Sequence, residues 1–181
     1  MTVSQTPRLA IDPHSWPAEG TITITAYGQP APQGSKRHLG NGVMIEMSKK
    51  VKPWRQDVKA AALEVMTVTR VGERQILLPP LDGPIAASIV FTLRDQPASK
   101  PTWWPRAAKW SKAMRWRPAS TPDLSKLLRS TEDALTGVVW KDDARVVEYV
   151  RLAKYYTDDD APDVLDRPGA VIRAWAIGGA S

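Results

Sequence analysis

The sequence contains no cysteine, and this absence excludes disulfide bonds, thiolate catalysis and the usual zinc clusters. Histidine is nearly absent as well, since only His14 and His38 occur, and they lie far apart and outside any motif. A Ser-His-Asp triad or a histidine-built metal site would need one of them. No apolar run reaches the roughly 18 residues of a transmembrane helix, so no membrane span is predicted.

The first 20 residues lack the basic start and apolar core of a secretory signal peptide. They are polar, contain proline and show no periodicity, so we interpret residues 1–20 as a flexible arm. The length of 181 residues suits one domain, which we place at residues 21–178. A chain without cysteine or a secretory signal fits the reducing cytoplasm.

Acidic residues are absent from residues 96–122, although this segment contains six cations and four of the eight tryptophans. Since the formal net charge of the chain is +6, the remainder is electrically balanced. Basic chains, here with a pI of about 9.7, bind nucleic acid or anionic membranes. The segment contains Lys100, Arg106, Lys109, Lys112, Arg115 and Arg117, together with Trp103, Trp104, Trp110 and Trp116.

This mixture of cations and indoles predicts a DNA-binding surface, because cations neutralise phosphates and indoles can stack on unpaired bases. In the alternative, the tryptophans pack into the core or a dimer interface and solvated cations surround them. Lys36 and Arg37, in a glycine-flanked loop, are a second candidate contact. The residues that we predict to contact DNA are Lys36, Arg37, Lys109, Lys112, Arg115, Trp116, Arg117, Lys126 and Lys141.

Alternating apolar residues predict strands, and apolar residues at the helical period predict helices. The predicted strands are Thr21–Tyr27, Val43–Met47, Ile85–Leu93, Ala144–Tyr156 and Ala170–Ile177. The predicted helices are Trp54–Arg70 and a leucine-striped helix that starts at Asp123 and stops before Gly137. This order predicts a single α+β domain, in which one mixed β-sheet packs with two main helices.

Three carboxylates, those of Asp123, Asp142 and Asp143, stand at the start of the second helix and in the turn after it. A helix followed by a returning strand can bring these two ends together. Carboxylate oxygens are the ligands that Mg²⁺ or Mn²⁺ prefers, and such an ion could activate water to cleave a phosphodiester. Arg129 shares a polar helix face with Ser125 and could hold the scissile phosphate.

Each carboxylate also has a structural alternative. Asp123 could be a helix N-cap, and Asp142 and Asp143 could be ordinary turn residues. A later acidic loop superficially suggests Ca²⁺, but it lacks the glycine and terminal glutamate of a calcium loop, so we prefer a solvated loop. That loop contains Asp158, Asp159, Asp160, Asp163 and Asp166.

The segment "PDLSKLLRSTEDALTGVVWKDDARVVEY", Pro122–Tyr149, resembles the core signature of RusA-type Holliday junction resolvases, small endonucleases common in phages and prophages. The family pattern is roughly Asp-Leu-Asp-Asn/Lys-Leu, a basic residue, Asp-Ala-Leu, and then Asp-Asp before a Gln/Arg-Val-Val strand. "ITAYGQPAPQGSKR", Ile24–Arg37, is more weakly similar to the opening strand and basic loop of phage members.

The resemblance implies a homodimer that binds four-way DNA junctions and nicks two opposed strands with Mg²⁺, or with Mn²⁺ in its place. The resemblance also implies that this activity serves recombination, repair or phage DNA processing. The activity would take place in the host cytoplasm if a phage encodes the chain. The first catalytic aspartate of the family matches Asp123, and the carboxylate of the acidic turn matches Asp143, with Asp142 beside it. The catalytic basic position, usually lysine, is Arg129 here, which keeps the charge but changes its geometry.

One position departs from the family pattern, because Ser125 stands where the family has its second acidic residue. Glu132 on the same helix or Glu46 in the hairpin arm could supply the missing carboxylate. The chain is therefore a metal-dependent junction endonuclease or, in the alternative, a catalytically weak or inactive protein that binds branched DNA. A basic structural protein without a nucleic-acid role is the third hypothesis.

Overall fold

A mixed sheet of four strands lies at the centre of the structure, a computed structural model that describes residues 20–34, 36–38, 44–46, 50–69, 75–111 and 113–177. For residues 36–38, 44–46 and 69 only the backbone is described. The predicted arm lies outside the described residues except for Gly20. In chain order the elements are β1 (Ile22–Tyr27), β2 (Lys36–His38), β3 (Met44–Glu46), α1 (Val51–Met66), β4 (Thr67–Thr69), β5 (Gln75–Leu77), β6 (Ile85–Thr92), α2 (Leu124–Leu135), a 3-10 helix (Asp143–Arg145), β7 (Val146–Tyr155) and β8 (Gly169–Ala176).

The four strands of the main sheet have the spatial order β1-β8-β6-β7. Strand β6 pairs in parallel with β7 and antiparallel with β8, and β8 pairs antiparallel with β1. Every side chain of β6 is buried, which explains why this strand reads as an almost continuous apolar run. The sheet is mixed, as predicted, because of the single parallel pair.

Helices α1 and α2 pack against each other, and α1 also packs against β1. The buried residues of α1 recur at intervals of three or four residues, as the helical period requires. The ring N–H of Trp54 donates a hydrogen bond of 3.1 Å to Thr131 Oγ1, which joins the two helices inside the core. No helix in the described ranges is long and apolar enough to cross a bilayer.

Two predictions of the fold need correction. The first helix ends at Met66 and not at Arg70, because Thr67–Thr69 forms β4, which pairs antiparallel with β5. The β-branched residues of "TVT" favour a strand once a partner strand is available. The predicted strand at Val43–Met47 forms β3 and is the arm of a hairpin with β2, as predicted, but within the described residues this hairpin is a separate two-stranded sheet and not part of the one mixed sheet. Two small hairpins therefore accompany the mixed sheet.

The buried hydroxyl of Ser130 connects α2 to the loop after β1. Its Oγ donates to the carbonyl oxygen of Ala31 at 2.6 Å and also lies 2.9 Å from the carbonyl oxygen of Leu127. Ser130 is fully buried and Ala31 nearly so, so water cannot replace this contact.

Replacing Ser130 with alanine is expected to lower the free energy of unfolding by about 1–3 kcal/mol, because the Ala31 carbonyl loses its buried donor. Denaturant unfolding measures this change. The control is Ser125→Ala at an exposed position of the same helix, which should shift stability by less than about 0.5 kcal/mol. Equal effects of the two substitutions on the free energy of unfolding would contradict a stabilising role for the buried hydrogen bond from Ser130 to Ala31.

Candidate functional site

The acidic turn between α2 and β7 carries two exposed carboxylates. Asp142 Oδ1 accepts a hydrogen bond of 2.9 Å from the N–H of Ala144, so Asp142 is a turn residue, as the structural alternative predicted. Asp143 is the first residue of the 3-10 helix, and its side chain is exposed. The turn therefore presents the Asp143 carboxylate to solvent.

Asp82 contacts the same turn from outside it, and no motif or periodicity in the sequence pointed to this residue. Lys141 Nζ and Arg145 Nε each lie 3.0 Å from one carboxylate oxygen of Asp82. The hydrogen bond from Lys141, followed by the charges of Arg145 and Lys141, lowers the pKa of Asp82 below its ordinary value. The two cations that flank Asp142 and Asp143 are thus paired with a third carboxylate.

Asp123 occupies the N-cap position of α2, but its side chain makes no capping hydrogen bond. Instead, Asp123 Oδ2 lies 3.2 Å from Lys126 Nζ, one turn along the helix, and both side chains are about half exposed. The N-cap alternative is therefore right about the position and wrong about the contact. An exposed ion pair of this kind contributes little to stability.

Lys154, near the end of β7, supports the segment that leads into Asp123. Its Nζ donates to the carbonyl oxygens of Ser120 at 2.6 Å and Pro122 at 2.7 Å. Burial lowers the pKa of Lys154, and the negative charge of Asp123 opposes that shift. Asp123 therefore lies within electrostatic range of a partly buried cation. Sequence analysis did not predict this role for Lys154, because an isolated lysine in a strand belongs to no motif.

Burial, together with the carboxylates of Glu132 and Asp143, raises the pKa of Tyr149 in β7. The Tyr149 hydroxyl donates a hydrogen bond of 2.6 Å to Glu132 Oε1. Burial raises the pKa of Tyr149 far above its usual range, and the carboxylates of Glu132 and Asp143 raise it further. Glu132, one candidate for the carboxylate that Ser125 lacks, is thus already bound to a phenol. The side chain of the other candidate, Glu46, is outside the described residues.

The predicted metal ligands fit a hard divalent cation in their chemistry, because Asp123, Asp142 and Asp143 offer exposed carboxylate oxygens. Their spatial arrangement gives less support to a metal site than their chemistry does. In the part of the chain that the structure describes, no three carboxylate or imidazole groups lie together as a metal site would require. The convergence of Asp123 and Asp143 on one ion therefore stays a prediction.

The predicted catalytic cation, Arg129, is exposed on α2, as is Ser125 one turn before it. Arg129 has no hydrogen-bond or ion-pair partner among the described residues. It differs in this from Lys126 and Lys141, both of which are paired with carboxylates. The guanidinium of Arg129 is therefore available to a phosphate.

The described cations of the basic segment are all exposed, but they differ in their partners. Arg115 lies 3.2 Å from Asp160, and the Arg117 guanidinium lies 4.6 Å from the centre of the Tyr155 ring. Lys109 has no partner within the described ranges. The side chains of Lys36 and Arg37, and the whole of Lys112, lie outside the described residues.

The tryptophans of this segment form a cluster, which favours the core-packing alternative for most of them. Trp116 is only 8% exposed, and its ring packs within about 6 Å of Trp104, Trp110 and Tyr156, measured between ring centres. A buried ring has no free face for a base, so the predicted DNA contact of Trp116 requires a correction. Trp103, which is 42% exposed, retains a free surface.

The acidic loop after β7 is held by cations and by its own backbone. Asp163 pairs with Arg173 and Arg151, Asp166 with Arg167, and Asp160 with Arg115, while Asp159 accepts a backbone N–H. These contacts favour the solvated loop over a calcium site for the exposed Asp160 and Asp166, whereas Asp163 is largely buried against Arg173 and Arg151.

Two comparisons with known proteins bear on this site. The sequence model of a family described as "Endodeoxyribonuclease RusA" matches residues 27–164 and therefore includes Asp123, Arg129 and Asp143. The chain is also similar to the uncharacterised protein YqaN of Bacillus subtilis (strain 168). The two are 28% identical over 148 residues, which is 81% of this chain and 95% of that protein.

Replacing Tyr149 with phenylalanine is expected to make the free energy of unfolding less sensitive to alkaline pH. The phenol stays protonated in the native chain, but ionises near its ordinary pKa of 10.0 once unfolded. Native stability therefore falls above this pH, by at most about 1.4 kcal/mol per pH unit. Urea unfolding at about pH 9 and about pH 11 should show a smaller loss for Tyr149→Phe than for the unmodified chain. The exposed control, Tyr27→Phe, should behave like the unmodified chain.

Proposed function

Because this chain belongs to the RusA endodeoxyribonuclease family, we propose that it resolves four-way DNA junctions by hydrolysing one phosphodiester in each of two opposed strands. The family consists of Holliday junction endonucleases that act on branched DNA and generally depend on a divalent metal. The observation that carries the proposal is the family match over residues 27–164. It replaces the hypothesis of a basic structural protein. The activity would serve recombination, repair or phage DNA processing in the bacterial cytoplasm.

We further propose that Asp123, Asp142 and Asp143 hold Mg²⁺, or Mn²⁺ in its place. The bound ion would supply an activated water and offset the charge that develops on the cleaved phosphate. Exposed carboxylates at the start of α2 and in the turn before β7 support this assignment. Lys154 holds the chain that precedes Asp123 and so restricts where that carboxylate can point.

Arg129 is the residue that we assign to the scissile phosphate. Its planar guanidinium can donate two parallel hydrogen bonds to phosphate oxygens, which a lysine ammonium cannot do in a fixed geometry. Its exposure and its lack of a partner in the described part of the chain support this role. The guanidinium would orient the phosphate and stabilise the negative charge of the transition state.

The surrounding cations would position the junction by contacting its phosphates. Lys109, Arg115 and Arg117 project from the basic segment, and Lys36, Arg37 and Lys112 are proposed on sequence grounds alone. Lys126 and Lys141 would have to exchange a carboxylate partner for a phosphate. We propose a homodimer, since two-fold symmetry would present each surface twice to a two-fold junction.

The second candidate function is that of a catalytically weak or inactive protein that binds branched DNA. Ser125, exposed where the family has an acidic residue, favours it, because a hydroxyl is a poor metal ligand beside carboxylates. The described residues also contain no group of three carboxylate or imidazole side chains placed so that they could hold a metal ion.

Asp143→Asn is expected to reduce metal-dependent nicking of a synthetic four-way junction by about 1,000-fold, equivalent to about 4 kcal/mol of transition-state stabilisation. Junction binding in a gel-shift assay should stay within about twofold, since the phosphate contacts remain. Asp166→Asn changes an exposed carboxylate of the acidic loop in the same way and should leave nicking unchanged. Normal cutting by Asp143→Asn would refute the role of Asp143.

Ser125→Asp distinguishes the two candidate functions, because it should restore nicking if the unmodified chain only binds junctions and should lower the metal requirement if the chain already cuts them. An added carboxylate ligand should lower the Mg²⁺ concentration for half-maximal nicking by about tenfold, because affinity rises with ligand charge. Gln56→Glu adds the same charge at an exposed position of α1 and should have no such effect. Efficient cutting by the unmodified chain at low Mg²⁺ would eliminate the inactive-binder alternative.

A further inference from the structure

A cleft of about 420 Å³ adjoins the start of α2, outside the acidic site. Three segments that are distant in sequence contribute to its walls: residues 29–32 after β1; Leu93, Arg94 and Pro97 after β6; and Pro118 and residues 120–122 before α2. Lys50 and Tyr156 complete it. The last of the three segments ends at Pro122 and leads directly into Asp123, so one wall of the cleft is the chain next to a proposed site residue.

The lining of the cleft combines stiff apolar parts with polar side chains such as those of Gln29, Ser120 and Thr121. Proline supplies much of the apolar part, and a proline ring fixes the backbone angle φ and leaves the residue little freedom to rearrange. The cleft is therefore largely preformed. Its prolines are Pro30, Pro32, Pro97, Pro118 and Pro122.

The wall that follows β1 is tied by hydrogen bonds to α2, the helix that carries Arg129. The N–H of Gln33 donates to the carbonyl oxygen of Lys126 at 2.9 Å, and Ser130 binds the carbonyl oxygen of Ala31. The 118–122 wall is held by Lys154 from the other side. The distance from the cleft to Asp123 and Arg129 is thus set by direct contacts.

The charge at the cleft is positive. Lys50 and Arg94 line it, both side chains are exposed, and neither pairs with a carboxylate among the described residues. None of the described residues that line the cleft is acidic. Proline rings, polar side chains and two exposed cations in one cleft complement a flat base attached to a phosphodiester.

We propose that this cleft receives one unstacked nucleotide of the DNA strand, next to the phosphate that is cut. The base lies between the proline-lined walls, and Lys50 and Arg94 contact its flanking phosphates. This assignment rests on the proposed function, since it takes the substrate to be DNA. The cleft would be a second point of recognition besides the acidic site. It would favour a distorted junction strand over regular duplex, because every base of a regular duplex is stacked.

The test uses a series of four-way junctions, each of which carries a single abasic nucleotide at a different position near the crossover. The series covers each strand in turn. For the unmodified chain, the abasic substitution should slow nicking about tenfold at one position beside the cut and by less than about twofold elsewhere. Lys50→Gln/Arg94→Gln should cut the intact junction more slowly and show no further loss at that position. Lys52→Gln/Lys59→Gln removes the same charge from exposed positions of α1 and should retain the tenfold loss.

A binding measurement separates failure of this assignment from failure of the nuclease proposal. 2-Aminopurine at the same positions, in junctions without divalent metal, should gain fluorescence at one position when the unmodified chain or the control variant binds. The Lys50→Gln/Arg94→Gln variant should give no gain. If junctions are never cut but this fluorescence pattern holds, the cleft assignment stands and the nuclease proposal fails. Cutting with no position-specific response, or with the same response in the cleft variant, overturns the cleft assignment.

Discussion

The parallel pairing of β6 with β7 is the constraint on which the rest of this structure depends. Parallel neighbours cannot be joined by a tight turn, so the chain must cross from one end of the sheet to the other. Residues 93–145 make that crossing, and they include the basic segment, α2 and the acidic turn. The proposed chemistry therefore resides in one connection, and the buried strand β6 provides its rigid base.

A cluster of tryptophans allows a long connection without regular structure to keep its shape. Trp116 packs with Trp104 and Trp110 and against Tyr156 at the end of β7, while the described cations of the same segment are exposed. The segment therefore has one side on which indoles pack and another on which cations are exposed to solvent. The interleaving of Trp with Lys and Arg thus serves both packing and charge, and Trp103 alone of these rings is freely exposed.

Charge pairing decides which cations around the site are available to DNA. Asp82 engages Lys141 at the acidic turn, and Asp123 engages Lys126 on α2. These pairs are exposed and weak, so a phosphate can displace them, and binding would then depend on salt. Arg129 needs no such exchange. Among the described cations near α2 and the acidic turn, Arg129 is therefore unpaired, whereas Lys126 and Lys141 are paired with carboxylates.

Periodicity in the sequence by itself predicted the strands of the main sheet, the central part of both helices and the placement of Asp123 and Asp143 at the two ends of α2 and its turn, because burial of one face repeats at a fixed interval. Strand β6 was predicted from one apolar face, and the structure buries both faces. Periodicity could not determine the end of α1, since a β-branched run continues a helix or forms a strand according to whether β5 lies beside it. Only the tertiary structure decided which side chains meet. Asp82 reaches Lys141, and Lys154 reaches the segment before Asp123, across long stretches of chain. Local spacing encodes the face that a residue occupies, whereas its partner depends on how the whole chain packs.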